Sequence, residues 1–305
     1  MEFFKPNTHV DFMGLRKYAA FLSILLCLAS FIVLGIKGLN WGLEFTGGTE
    51  VRLFFKEAPD LGQVRTQLEK AGFTHLTVQN YGTTHAVLIR IRGYQNLQKK
   101  VLSDEMMAVL PGSELQSVDY IGPQVGKELA TDGALALFIA LLGTAIYVGL
   151  RFESRFAVSA AVSLLHDPII ILGFFSYFQM EFDLISLAAI LTVIGYSLND
   201  TIVVFDRVRE NFRKYRKETP SEIINLSVNQ TLSRTIITSG LTLFAVLALF
   251  FFGGETLHGF ATAFIIGILV GTYSSIYVAG ALAVALGLNR KNFLPPQQDS
   301  SLERP

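Results

Sequence analysis

Cysteine is almost absent from this chain: Cys27 is the only one in 305 residues. No disulfide forms within it, and no Cys/His spacing resembles a zinc site. Cys27 lies in an apolar run and reads as a small packing residue. Charge is also scarce. Asp, Glu, Lys and Arg make up only 16% of residues, and the net charge is +0. No basic segment is interleaved with aromatics, so nucleic acid is not an expected partner. Neither H-E-x-x-H nor G-x-G-D occurs. No metal and no cofactor is expected, and nothing here suggests an enzyme.

What is present is apolar surface. It amounts to 51% of residues, with a mean hydropathy of +0.44. That is too apolar for an ordinary soluble domain and fits a polytopic membrane protein. A bilayer crossing takes about 17–25 apolar residues. Runs of that kind fall at 18–36, 129–150, 156–178, 184–205, 235–253 and 257–288. The first follows Arg16-Lys17 and ends in "LGIKGLN". It is longer than a signal-peptide core and offers no small-x-small cleavage site, so an uncleaved helix is expected.

Lysine and arginine set the orientation. The turns at 181–183 and 254–256 carry none. Arg151 and Arg155 follow the second span. Arg207, Arg209, Arg213, Lys214, Arg216 and Lys217 follow the fourth. With Lys5, Arg16, Lys17, Arg290 and Lys291 at the ends, every basic segment falls on one side. Both termini (1–17 and 291–305) and the loop 206–234 are therefore expected to be cytoplasmic. The N-x-S/T matches at Asn199, Asn225 and Asn229 lie in the membrane or on that side, so glycosylation is not expected. The tail after Leu294 is expected to be disordered.

The segment 37–128 is then expected on the other side, as an outside domain, which the family resemblance below makes periplasmic. Its ten basic and ten acidic residues give it soluble patterning. It reads as strand "EVRLFF" (50–55), helix "LGQVRTQLEKAG" (61–72), strands "LTVQNYG" and "HAVLIRI", helix "NLQKKVLSDEMMAVL" (96–110) and strand "ELQSVDYIG" (114–122). This β-α-β-β-α-β order predicts a small α+β ferredoxin-like fold, which by itself specifies no function.

The few charges inside the spans carry the functional argument. A charge at mid-bilayer costs at least about 2.5–3.5 kcal/mol, and such residues usually face the bundle interior. Asp200 is the only charged residue in 184–205 and stands beside Asn199. Helical spacing puts Tyr196 and Ser197 on its face, one turn earlier. Arg234 heads a stripe with Thr238 and Thr242 at the start of the fifth span. Asp167 sits in the third span between His166 and Pro168, with Ser163 and Ser159 at i−4 and i−8. Pro168 is expected to disturb the helix there. Carboxylates, an arginine and hydroxyls on three helices suit a proton relay. The competing reading is a polar network that only locks the helices together.

In the sixth span Gly259, Ala263, Gly267, Gly271 and Ser275 fall four apart, continued by Ala279, Ala283 and Gly287. Small residues at that spacing form a groove for another helix.

Taken together, "NWGLEFTGGTEV", "IGPQVGKEL", "LLHD", "IGYSLNDTIVVFDRVREN", "TLSRTIITSG" and "FFGGETLHGF" resemble the SecD/SecF family of bacterial protein-export membrane proteins. That family belongs to the resistance-nodulation-division superfamily of proton-driven transporters. The likeness is to its SecF branch and runs through nearly the whole chain. It implies a heteromer with SecD in the bacterial inner membrane, working beside the SecYEG translocon with YajC and the YidC insertase. It implies a late role on the translocating polypeptide, driven by protons. It also assigns proton transport to the Asp of "LND" and the Arg of "SRT", which are Asp200 and Arg234 here. Glu44 stands where the family usually has Asp, ahead of the Gly47-Gly48 turn leading into the domain.

Two other functions compete. One is a proton-driven exporter of small molecules or lipids from the same superfamily, against which stand the single small outer domain and six spans. The other is an intramembrane aspartyl protease using Asp167 and Asp200, which requires two acids sharing a proton.

Overall fold

Six helices in this chain are long and apolar enough to cross a membrane. They are seen in a computed structural model that describes residues 9–74, 76–91 and 99–288. A short 3-10 turn, Met13–Leu15, leads into α1 (Arg16–Lys37). Then come β1 (Asn40–Trp41), α2 (Leu43–Thr46), β2 (Gly48–Phe55), α3 (Leu61–Lys70), β3 (Leu76–Tyr81), β4 (Thr83–Ile91), α4 (Lys99–Val109) and β5 (Ser113–Ile121). The remaining spans are α5 (Pro123–Arg151), α6 (Ser154–Phe178), α7 (Leu184–Lys214) and α8 (Pro220–Phe252). The two-residue strand β6 (Glu181–Phe182) sits between α6 and α7. The sixth span is broken into α9 (Glu255–Tyr273), a π-helical segment (Ser274–Ala279) and α10 (Gly280–Ala285).

The ferredoxin-like order is observed. Strands β3-β4-β2-β5 form one antiparallel sheet. Val51, Leu53, Val87, Ile89 and Ile91 alternate inward and pack with Val64 and Leu68 of α3 and Met106 of α4. The Asp60 side chain caps α3 by accepting from Gly62 N–H. The expected helix 96–110 is seen as α4; residues 96–98 lie outside the described residues, as does the tail after Leu294.

In the bundle, α6 and α7 are the most buried helices, while α1, α5 and α8 turn broad apolar faces outward. α6 stays helical through Pro168, so the expected disturbance does not appear. The cytoplasmic loop expected at 206–234, with helix in part of it, is mostly helix. α7 continues to Lys214 and α8 begins at Pro220, leaving only 215–219 between them. At 1.5 Å per residue, α7 is roughly 46 Å long, beyond the ~30 Å of a hydrocarbon core. The start of α8 has a local cause: Pro220 at the first position and a reciprocal Thr219–Glu222 capping box. The polar ends form a hairpin that buries Val208 and Phe212 against Ile223, Ile224 and Val228. The N-terminal segment ties on through Asn229, whose side chain bonds both the N–H and C=O of Val10, and through Asn225, which accepts from Phe12.

The domain is fastened to the bundle at several points. β1 pairs in parallel with β6. Arg90 of β4 pairs with Glu50 of its own sheet (2.8 Å) and with Glu181 of β6. Tyr81 and Thr256 share a hydrogen bond of 3.0 Å. These groups line a cavity of about 430 Å³ between the sheet and the helix ends. Glu44 reaches into it with a buried Oε2 that has no hydrogen-bond partner among the described residues. Burial raises its pKa above the ordinary 4.5, and the nearby Asp183 and Glu50 add to this. Its own backbone hydrogen bond and Arg90 act against the rise. At the other side of the turn, Gly47 (φ 70°) and Gly48 (φ 142°) occupy left-handed conformations. A Cβ on Gly47 would come within 2.9 Å of Pro123 Cα at the start of α5.

Two outcomes follow for thermal unfolding of the purified protein. Gly47→Ala is expected to lower the midpoint clearly more than Gly82→Ala. Both residues have φ 70°, but Gly82 faces open space, so its cost is backbone strain alone, about 1–2 kcal/mol. Equal losses would contradict the close approach to Pro123. Glu44→Gln is expected to raise the midpoint at neutral pH. A carboxyl with a raised folded-state pKa contributes stability that is full below its ordinary 4.5 and is lost as pH rises through the folded value. The advantage of Gln should therefore appear across that window and vanish on acidification. Identical midpoints at every pH would contradict it.

Candidate functional site

Two carboxylates are buried between the spans. Asp167 of α6 is 1% exposed and Asp200 of α7 is 6% exposed. Their surroundings differ. Asp167 has three short partners. Ser197 of α7 donates to it at 2.6 Å, Ser274 of the π-helical segment at 3.1 Å, and His166 Nδ1 lies at 3.0 Å. One side chain thus ties α6 to α7 and to the sixth span. Charge-assisted hydrogen bonds are about twice as strong as neutral ones, which offsets the burial.

Among the described residues Asp200 has one hydrogen-bond partner, and it is distant: Ser239 of α8 at 3.5 Å. Ser239 is better engaged elsewhere. It shares a 3.0 Å hydrogen bond with Thr272 of α9, and Tyr196 approaches it at 3.5 Å. Asp200 and Asp167 share no hydrogen bond; each has its own donors. They do not form the proton-sharing pair that aspartyl protease chemistry needs.

The remaining expected residues divide. Tyr196 and Ser197 lie in this interior, and His166 flanks Asp167. Asn199 and Arg234 are exposed on the outside of this chain. Asn199 is one residue from Asp200, so it points about 100° away around the helix. Among the described residues Arg234 forms no ion pair with Asp200, although its charge is close enough to act on it. Thr238 and Thr242 give their hydroxyls to carbonyls one turn back, Arg234 and Thr238 respectively. This is the local alternative open to helical Ser and Thr. The buried stripe of α8 is instead Ser227, Thr231, Thr235 and Ser239, all 8% exposed or less. Its four-residue spacing was present in the sequence; starting the count at Arg234 hid it. Ser274 was also missed, because the π-helical segment re-aims the residues around it.

The small-residue stripe packs against α7. A Cβ on Gly259 would come within 2.7 Å of Ser186 Oγ. One on Gly267 would overlap Val193, and one on Gly271 would lie 3.1 Å from Ser197 Cβ and 3.4 Å from Asp167 Oδ2. Ala263 and Ser275 are fully buried. Close approach at Gly271 lets Ser197 and Asp167 meet. Among the described residues no Asp, Glu, His or Cys cluster could hold a metal ion.

Comparison with known proteins gives concordant results. Residues 101–289 match the family described as protein export membrane protein SecD/SecF, C-terminal, and residues 32–57 match the SecD/SecF GG motif. The chain is 49% identical over 298 residues to protein translocase subunit SecF of Vibrio alginolyticus, covering 96% of this chain and 95% of that one. It is 46% identical over 299 residues to the same subunit of Pseudomonas aeruginosa, covering 97% and 98%. Among solved structures it resembles SecDF from Thermus thermophilus, a translocon-associated membrane protein, with TM-score 0.85 and 35% identity over 93% of this chain. SecDF in a super-membrane-facing form gives TM-score 0.70 and 36% identity over 92%. This chain spans 39% of each of those longer chains.

Asp167→Ala is expected to lower the thermal midpoint in detergent by much more than Asp167→Asn. It leaves Ser197 Oγ and His166 Nδ1 without their partner, at about 1–3 kcal/mol each, while Ser274 keeps its bond to Gly271 C=O. Ser239→Ala should cost more than Thr238→Ala or Thr242→Ala. If the two threonine changes proved as damaging, the assignment of the buried stripe would be wrong.

Proposed function

The chain belongs to the SecD/SecF family of protein export membrane proteins, and from this premise we propose that Asp200 exchanges protons to drive movement of the domain 37–128. The chain is a multi-pass bacterial membrane protein of the SecF type, and its partnership is with SecD. In the proposed arrangement both termini and the α7–α8 hairpin are cytoplasmic, and the domain is periplasmic. The assembly acts with SecYEG, YajC and YidC on a translocating polypeptide at a late stage.

The observation that carries the reading is the poor partnering of Asp200. Among the described residues Asp200 is compensated by one 3.5 Å contact and the more distant charge of Arg234, whereas Asp167 has three short hydrogen bonds. Asn199 and Arg234 are polar groups exposed on helices that cross a membrane. Facing lipid, they would be expensive; covered by SecD, they complete the site. The proton enters between the two subunits, and Arg234 counters the charge of Asp200 until it arrives.

Transmission has a short path. α7 begins at Leu184, directly after β6, which Arg90 and β1 hold to the domain. A shift of α7 is felt at the sheet through that tie. Each proton entering down the gradient supplies about 2.3 kcal/mol per 100 mV, so a few protons suffice for a rearrangement of several kcal/mol. The two SecDF structures fit this chain unequally at almost equal identity, which supports a fold with more than one arrangement.

The test is export of a model secretory protein in cells lacking their own SecF, with this chain and its matching SecD supplied. Wild type is expected to restore export. Asp200→Asn should not, at equal abundance in the membrane. Equal restoration by both would make Asp200 structural and overturn the relay.

A further inference from the structure

We propose that Ser163 and His166 hold a water molecule inside the bundle, and that this water makes Asp167 a second proton-exchange site, separate from Asp200. The inference rests on the reading above that proton movement drives the assembly.

Ser163 is 1% exposed and His166 5% exposed. They lie three apart on α6 and so share a face. Neither Ser163 Oγ nor His166 Nε2 has a hydrogen-bond partner among the described residues. Buried polar atoms are almost always partnered, and where protein offers no partner, water is the usual one. Other hydroxyls nearby are already engaged. Ser159 donates to Arg155 C=O at 2.7 Å. Tyr273 stacks on the His166 ring, 6.4 Å between centroids at 28°. Its hydroxyl donates to Ala19 C=O at 2.6 Å and takes a hydrogen bond from Ser23 at 2.9 Å. The stacked ring has little freedom to turn.

The other edge of the imidazole fixes the chemistry. Nδ1 faces the Asp167 carboxylate, which only accepts. Nδ1 therefore carries the ring proton, and Nε2 is left as an acceptor that requires a donor. A water supplies that donor and reaches Ser163 with its remaining valences.

Proton transfer then balances without any other reactant. A proton arriving on the water passes to Nε2, and the Nδ1 proton passes to Asp167 Oδ1. The imidazole stays neutral with its tautomer exchanged; the carboxylate becomes a carboxylic acid. As an acid, Asp167 accepts fewer hydrogen bonds, and its hold on Ser197 and Ser274 weakens. The other titratable groups facing the pair are Cys27 of α1, within electrostatic range of Asp167, and Tyr273. Asp200 lies about one turn beyond Ser197 on α7.

The test uses the full chain with SecD in lipid nanodiscs. Infrared difference spectra between acidic and alkaline buffer are recorded in ordinary and heavy-oxygen water. Wild type is expected to show an internal-water band that shifts with the oxygen isotope. Ser163→Val, which removes the hydroxyl that would hold the water, should abolish that band, and Asp167→Asn should alter it. If Ser163→Val does not accumulate, Ser163→Ala should weaken the same band. In the export assay Ser163→Val and Asp167→Asn should both lose proton-driven export at wild-type abundance and thermal midpoint. No isotope-sensitive band in wild type, or the same band in Ser163→Val, overturns the water site. Normal export by Asp167→Asn overturns its proton role. Normal export by Asp200→Asn defeats the parent reading instead, and the water band still decides this one.

Discussion

Everything in the bundle depends on how buried carboxylates are compensated. A carboxylate among apolar helices is tolerated only with donors aimed at it. Asp167 has them from three directions, and the elements that supply them are the ones packed around it. The small residues of α9 are part of the same solution. Gly271 leaves room for Ser197 and Asp167 to approach, and the π-helical turn brings Ser274 within reach. Asp200 lacks such support: one carboxylate ties three helices together, and the other is held by a single distant donor.

The node and the domain are linked through few elements. α7 carries Ser197 and Asp200 and starts at the β6 strand that the domain grips. Arg90 serves two carboxylates, one in the sheet and one at the helix end. Gly47 allows the turn before β2 to sit against the first turn of α5. The domain therefore rests on the helix ends through polar contacts around a solvent-sized cavity, and not through a broad apolar interface. Interfaces of that kind permit relative motion.

Much of this was legible in the sequence for physical reasons. The spans follow from apolar length, and the domain's strand order from alternation and turn residues. Asp200 and Asp167 stood out because charge is costly there. The misreadings also have causes. Thr238 and Thr242 looked like a polar stripe, yet their hydroxyls satisfy their own helix. In 206–234 part of the helix was expected from the polar, mixed-charge pattern; its full extent was not, because the capping box at Thr219 that starts α8 was not weighed. β1 and β6 are two residues each and their paired residues lie 141 positions apart, so nothing local marks their pairing.

In the proposed mechanism the charge on Asp200 selects between packings of α7 against α8 and α9. Spin labels on α7 and α8, in a chain with Cys27 replaced by serine and assembled with SecD, report that distance directly. The account requires two distance populations whose ratio changes with pH in wild type, and a single population in Asp200→Asn at every pH. Identical, pH-independent distances in both proteins would contradict it.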